Sequence, residues 1–156
     1  MRFHNKKVTI DGIEFDSQVE GRRYEELKAM KRTGLISDFE RQPKFRLQEA
    51  YRKCPACNNI QEHVFGSRKK IHTHCRECGE LMKYWPSVDY FADFLLRYPD
   101  GTVRIEDVKG TLKKLDPVFK VKWHFFEKMY PHLKLELVVM PPLPKARSST
   151  PRRKRV

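Results

Sequence analysis

Long hydrophobic runs are what this sequence has least of. No apolar stretch in its 156 residues approaches the roughly 20 needed to span a bilayer, and the opening MRFHNKKVTIDG lacks the apolar core of a secretory signal. Both absences argue against a membrane-spanning role and for a cytoplasmic protein. Acids are scarce as well: 20 Asp and Glu face 33 Lys and Arg, a net charge of +13. With 12% aromatics that imbalance points to a polyanion, nucleic acid first and an anionic membrane surface a weak second. Cysteine is limited to four, no internal repeat is present, and the length fits one domain with a small insertion.

VTIDGIEFDS, residues 8–17, predicts a hairpin turning at Asp11-Gly12. A helix follows to Gly34, with Ser17-x-x-Glu20 as a capping box and Val19, Tyr24, Leu27 and Met30 or Lys31 on its packed face. Leu35 to Gln48 reads as extended structure interrupted near Pro43. Residues 87–110 give two strands around the turn Tyr98-Pro99-Asp100-Gly101. A second helix starts at the N-cap Asp116 with Pro117 in its first turn and an expected core stripe of Val118, Val121, Phe125, Phe126 and Met129. LKLELVVM, residues 133–140, is a strand that ends in a continuous apolar run. The expected organisation is a core of residues 1–49 and 85–140, an insertion of 50–84 and a disordered basic tail of 141–156. The fold class is α/β (α+β), with the order helix, strand, strand, strand, helix, strand.

RIEDVKG, residues 104–110, crowds two acids and a lysine onto one strand. A solvated strand edge would explain them, since such edges alternate apolar and charged residues. A hairpin centred between Pro99 and Asp100 instead sets Asp93 across from Glu106 or Asp107. Strand alternation then puts Asp107 and Lys109 on one face and Glu106 on the other. Two carboxylates about 5 Å apart repel one another, and a divalent cation removes the repulsion. Mg²⁺ or Mn²⁺ held by carboxylates, with a lysine near the attacking water, suits phosphodiester hydrolysis. Asp89 shares a strand face with Asp93, but its partner would be near Thr111, past the cluster; Asp93 is preferred.

The αβββαβ order, Asp93 and Asp107-Val108-Lys109, with an acid in the first helix, resemble the PD-(D/E)XK nuclease superfamily. YFADF with IEDVKG is similar to small phage-encoded nucleases of that fold, and the helix glutamate is similar to that of phage endonuclease I resolvases and transposon end-cleaving enzymes. Ala92 stands where the pattern has proline, and Asp107 where Glu is commoner. The resemblance implies a restriction-endonuclease-like core with a mixed central sheet flanked by helices. It further implies Asp93 and Asp107 as ligands for Mg²⁺ or Mn²⁺, the Val108 carbonyl as a further ligand, Lys109 assisting the water and Glu20 reaching the metal. For Glu20 the capping box is an equal alternative. Gln42 and Lys44 could touch DNA or the scissile phosphate, or be ordinary solvent-facing residues. The implied activity is a metal-dependent endodeoxyribonuclease cutting branched DNA in the manner of a Holliday junction resolvase, as a possible homodimer. The alternatives are a monomeric nicking or end-processing nuclease acting on duplex DNA, and a non-catalytic zinc-ribbon nucleic-acid-binding protein.

Cys54-x2-Cys57 and Cys75-x2-Cys78, with 17 residues between the pairs, have zinc-ribbon spacing. Four thiolates leave no open coordination position, so Zn²⁺ here would be structural. His63, His72 and His74 are competing ligands or loop and DNA-contact residues, and two disulfides are the minor alternative. Arg68, Lys69 and Lys70 between the knuckles, and Arg152, Arg153, Lys154 and Arg155 in the tail, are expected to meet DNA phosphates.

Overall fold

The computed structural model describes residues 6–62, 72–113 and 115–141. Two short strands, β1 (Val8–Ile10) and β2 (Ile13–Phe15), form the expected hairpin. Its turn needs positive φ at both central positions, and Asp11 (53°) and Gly12 (75°) supply it. Ser17 then caps α1 (Gln18–Arg32), its hydroxyl oxygen accepting from the Glu20 amide. The helix stops where Gly34 turns left-handed (φ 76°), which lets the amides of Gly34 and Leu35 return to the carbonyls of Lys31 and Met30. Leu27 is fully buried, with Val19, Tyr24 and Met30 packed beside it. Lys31 instead pairs with Asp38 in solvent. The hairpin lies so close to α1 that a Cβ on Gly21 would meet Val8 at 2.7 Å and Ile10 at 2.9 Å.

The fold is α+β, centred on a mixed four-stranded sheet. Strands β3 (Asp38–Arg41), β9 (Phe94–Arg97), β10 (Val103–Lys109) and β11 (Lys134–Val139) lie side by side. β3, β9 and β10 run antiparallel, while β11 returns parallel to β10 after the crossover helix α2 (Pro117–Met129). Along this sheet the chain order is α1, β3, β9, β10, α2, β11. Alternation on β10 sends Val108 to one face, where it joins Leu27, Phe94 and Leu96 beneath α1. Ile105 goes to the other face, joining Phe45, Tyr90, Phe126 and Leu135 beneath α2.

The buried face of α2 differs from the sequence expectation. Asp116 caps it and Pro117 opens it as expected, but of the five residues of the expected stripe only Phe126 is buried. Val118, Val121, Phe125 and Met129 are about half exposed or more. Phe119, Trp123, Phe126 and Tyr130 pack inward instead. The helix is apolar around much of its circumference, so spacing leaves two candidate faces. The aromatic one wins because its rings mesh with those of the sheet: Phe126 lies 4.9 Å from Phe45 and 5.6 Å from Tyr90 between centroids, and Tyr130 lies 5.2 Å from Phe45.

The pairing of β3 with β9 continues outward as one long ribbon. β4 (Lys44–Gln48) pairs with β8 (Val88–Phe91), and the step from Arg41↔Phe94 to Lys44↔Phe91 is three residues along each strand, so register is kept. After a bulge between Arg46 and Gln48, the step from Gln48↔Val88 to Tyr51↔Trp85 again keeps register. Here β5 (Tyr51–Lys53) lies between β6 (Ile60–Glu62) and β7 (Lys83–Trp85), so Trp85 belongs to the inserted sheet. The ribbon has one sharp break, at Gln42-Pro43 opposite Ala92-Asp93. Gln42 takes φ 49° and Pro43 has no amide to donate. The Gln42 amide reaches the Asp93 carbonyl and the Ala92 amide the Pro43 carbonyl, so the strands stay joined. Alternation reverses across the break: Tyr90 and Leu95, five positions apart, both pack on the α2 side. No helix among the described residues is long and apolar enough to cross a membrane.

Candidate functional site

Asp93 sits at the break, where its side chain is freed from the ladder. Its amide still donates to the Glu106 carbonyl at 3.0 Å, while its carboxylate Oδ2 turns across and accepts from the Val108 amide at 2.6 Å. The observed register of β9 on β10, Phe94 opposite Glu106, extrapolates to Asp93 opposite Asp107. Asp107 is buried. The Tyr90 hydroxyl donates to its Oδ2 at 2.8 Å, and its Oδ1 meets the Lys109 ammonium. That Oδ1 has no hydrogen-bonding partner of good geometry among the described residues. Lys109 in turn rests its ammonium 4.4 Å from the centre of the Phe119 ring.

Crowding sets the electrostatics. Burial, and then the Asp107 charge, push the Asp93 carboxyl up to about 7, against the opposing hydrogen bond from Val108. Burial raises Glu20 too, and Asp107 adds to the shift. Burial and the same aspartate raise the Tyr90 phenol, which stays a hydrogen-bond donor. Two acids that favour protonation because they are buried together would ionise readily around a cation.

Glu20 takes the capping-box position. Its carboxylate Oε1 accepts from the Ser17 hydroxyl at 2.6 Å, yet it remains near enough to shift Asp93. Glu106 faces away from Asp107, as alternation requires, and Arg23 of α1 grips it with two nitrogens at 2.9 and 2.7 Å. Asp89 lies elsewhere, held by Arg46 at 2.5 Å and Lys44 at 3.0 Å. Lys44 therefore has an acidic partner, while Gln42 is exposed at the break. Arg68, Lys69, Lys70, His63 and the tail residues Arg152, Arg153, Lys154 and Arg155 lie outside the described residues.

The four cysteines converge. Sγ atoms are 3.4 Å apart in Cys54 and Cys78, 3.5 Å in Cys57 and Cys75, and 3.6 Å in Cys57 and Cys78. A disulfide would need about 2.05 Å, whereas thiolates at about 2.3 Å from one zinc ion stand about 3.8 Å apart. The set could hold a metal ion such as zinc, and among the described residues it is the sole converging group of three or more Cys, His, Asp or Glu. Each knuckle closes alike: Asn58 (φ 61°) and Gly79 (φ 75°) follow the second cysteine, and their amides return to the carbonyls of Cys54 and Cys75. The Cys57 backbone amide does most to lower the Cys54 thiol's pKa, which favours thiolate. His74 bonds to Thr73 and does not join the set.

Sequence reasoning missed Tyr90, Phe119 and Arg23. The ring of Tyr90 is core while its hydroxyl serves Asp107, a division of labour that residue spacing cannot display. Arg23 was visible only as one of many helix charges.

Fold and site together define the class: an α+β protein with four converging cysteines, able to hold a metal, on a ribbon arm and a buried acid–lysine cluster at the arm's root. The chain belongs to the family described as "Protein of unknown function (DUF1064)", whose pattern matches residues 1–143. No curated protein and no solved structure matches it.

Proposed function

We propose that this chain is a metal-dependent endodeoxyribonuclease. The observation that carries the reading is the meeting of Asp93, Asp107 and Lys109 at the ribbon break, two buried carboxylates and an ammonium with little other work to do there. The sheet order and the parallel return of β11 agree with the PD-(D/E)XK resemblance. The donor set fits a hard divalent cation: Asp93 and Asp107 would hold Mg²⁺ or Mn²⁺, with the Val108 carbonyl and Glu20 as further oxygens. When bound, such an ion polarises a phosphoryl oxygen and acidifies a water. Lys109 supplies the positive charge that orients that water or offsets charge on the phosphate. Tyr90 fixes the rotamer of Asp107, and Phe119 keeps the lysine from swinging into solvent. Zn²⁺ in the Cys₄ site would fold the arm and take no part in chemistry.

The net charge of +13 favours DNA as substrate, and branched DNA cut by a homodimer is the narrower form of the proposal. The test is cleavage of matched linear, flap and four-way-junction DNAs with Mg²⁺ or Mn²⁺, wild type beside Asp107→Ala. Paired symmetric junction cuts lost in the variant support a resolvase, and cutting of all forms supports a general nuclease. Absence of metal-dependent cleavage would leave a DNA-binding zinc-ribbon protein.

A further inference from the structure

We propose that one face of the zinc arm is a stacking platform for unpaired nucleotides, a surface separate from the acid cluster; this rests on the reading of DNA as the substrate. Directly opposed residues of an antiparallel sheet share a face. Tyr51 opposes Trp85, and Lys53 opposes Lys83, one alternation further out. Ile60 and Glu62 of β6 complete the same face. The Tyr51 and Trp85 rings are near-parallel, 12° apart with centroids at 6.2 Å. Trp85 is 41% exposed, whereas tryptophan is on average highly buried.

The two lysines decide the kind of partner. Like charges directly opposite destabilise a sheet, and the ion pairs among the described residues lie elsewhere. Lys83 lies over the Trp85 ring, 4.5 Å from its centre. Two near-parallel stacked rings beside a pair of uncompensated ammonium groups match a nucleotide with its base unstacked. The base lies on Trp85 and Tyr51, and the displaced Lys83 joins Lys53 on the phosphates. Duplex DNA offers the phosphates but keeps its base faces covered, so the platform discriminates for unpaired strand. Glu62, at the Tyr51 edge, limits the platform to one or two bases.

The test uses the full chain carrying Asp107→Asn, so that the probe is not consumed. Fluorescence anisotropy with a labelled oligo-dT single strand of about 20 nucleotides and a duplex of equal length measures binding, and zinc content confirms that each variant's arm is folded. Adding Trp85→Ala should weaken single-strand binding roughly tenfold and duplex binding less than twofold. Tyr84→Ala, an exposed aromatic on the opposite face, should change neither by more than about twofold. Lys53→Gln with Lys83→Gln should flatten the salt dependence of single-strand binding by about 1.4 in log–log slope. Unchanged single-strand affinity, equal losses on both DNAs, an equal loss in Tyr84→Ala or tighter binding to polyglutamate than to oligo-dT would each overturn the platform. Cleavage by the wild type judges the nuclease reading separately, so either can fail while the other stands.

Discussion

The core and the arm solve the same problem by opposite means. The core sheet buries hydrocarbon on both faces, with Leu27, Leu96, Ile105 and Phe126 fully enclosed. Among the described residues the arm's buried cluster is Cys54, Cys75 and Met82. Hydrophobic burial scales with area, so the core can hold its own shape and carry strained, charged residues at its edge. A three-stranded sheet with so few buried side chains among its described residues offers little of that burial, and a metal on the four cysteines would supply folding energy instead. The difference teaches where each region tolerates damage: the core is robust to ligands and sensitive to cavities, and the arm is the reverse.

The largest effect that would break this comparison is on the arm. Structural zinc contributes about 10–16 kcal/mol in small finger peptides, so Cys54→Ser or Cys78→Ser should lose zinc and open residues 51–85 to protease while the core sheet keeps its thermal transition. Metal analysis with limited proteolysis reads this; retained zinc with unchanged melting would sink the assignment. Next is Asp107→Ala, expected to reduce cleavage by 10³-fold or more while leaving the melting temperature and zinc content near wild type, measured on the substrates above. Third, Arg23→Ala strands the Glu106 carboxylate in a buried place; the expected cost of about 3–5 kcal/mol lowers the core's melting temperature by roughly 10 °C.

The acid cluster sharpens the comparison through pH. In divalent-free buffer the folded Asp93 carboxyl keeps its proton up to about 7, while the unfolded chain releases it near the ordinary value of 3.8. The folded state binds more protons between these values, so this group's contribution to stability falls as pH rises from about 4 to about 7 and is level above. Asp93→Asn should therefore gain on wild type across that window by chemical denaturation, and Mg²⁺ should narrow the gap. An unchanged difference from pH 4 to 8 would show that Asp93 ionises normally. The smallest effect concerns α2: Val121→Ser should change stability by no more than about 0.5 kcal/mol, against about 3–5 for Phe126→Ala.

Much of this was legible in the sequence wherever one residue type meets one backbone need. Asp11-Gly12, the Ser17 cap, Gly34, the Asp116 cap and the CxxC knuckles were all readable on that ground. The opposition of Asp93 to Asp107 followed from the turn at Tyr98–Gly101, because a short loop fixes register. The break at Pro43 was readable as an interruption, but not the reversal of faces across it, which depends on φ at Gln42 and on a partner strand some 50 residues away. The choice of α2 face was closed to the sequence for a different reason: both faces were apolar, and only the aromatic surface of β4 and β8 decides between them.

The ladder that runs from Asp38↔Arg97 to Lys53↔Lys83, shifted by one residue at the bulge between Arg46 and Gln48, makes the inserted segment the far end of a hairpin and not a bead on a loop. Pairing β3 with β9 directly would require closing a loop of more than 50 residues, an entropic cost that grows only logarithmically but must be met before any contact rewards it. A metal held by the four cysteines at the tip would close that loop from its far end, on the same ribbon that carries Asp93 to Asp107.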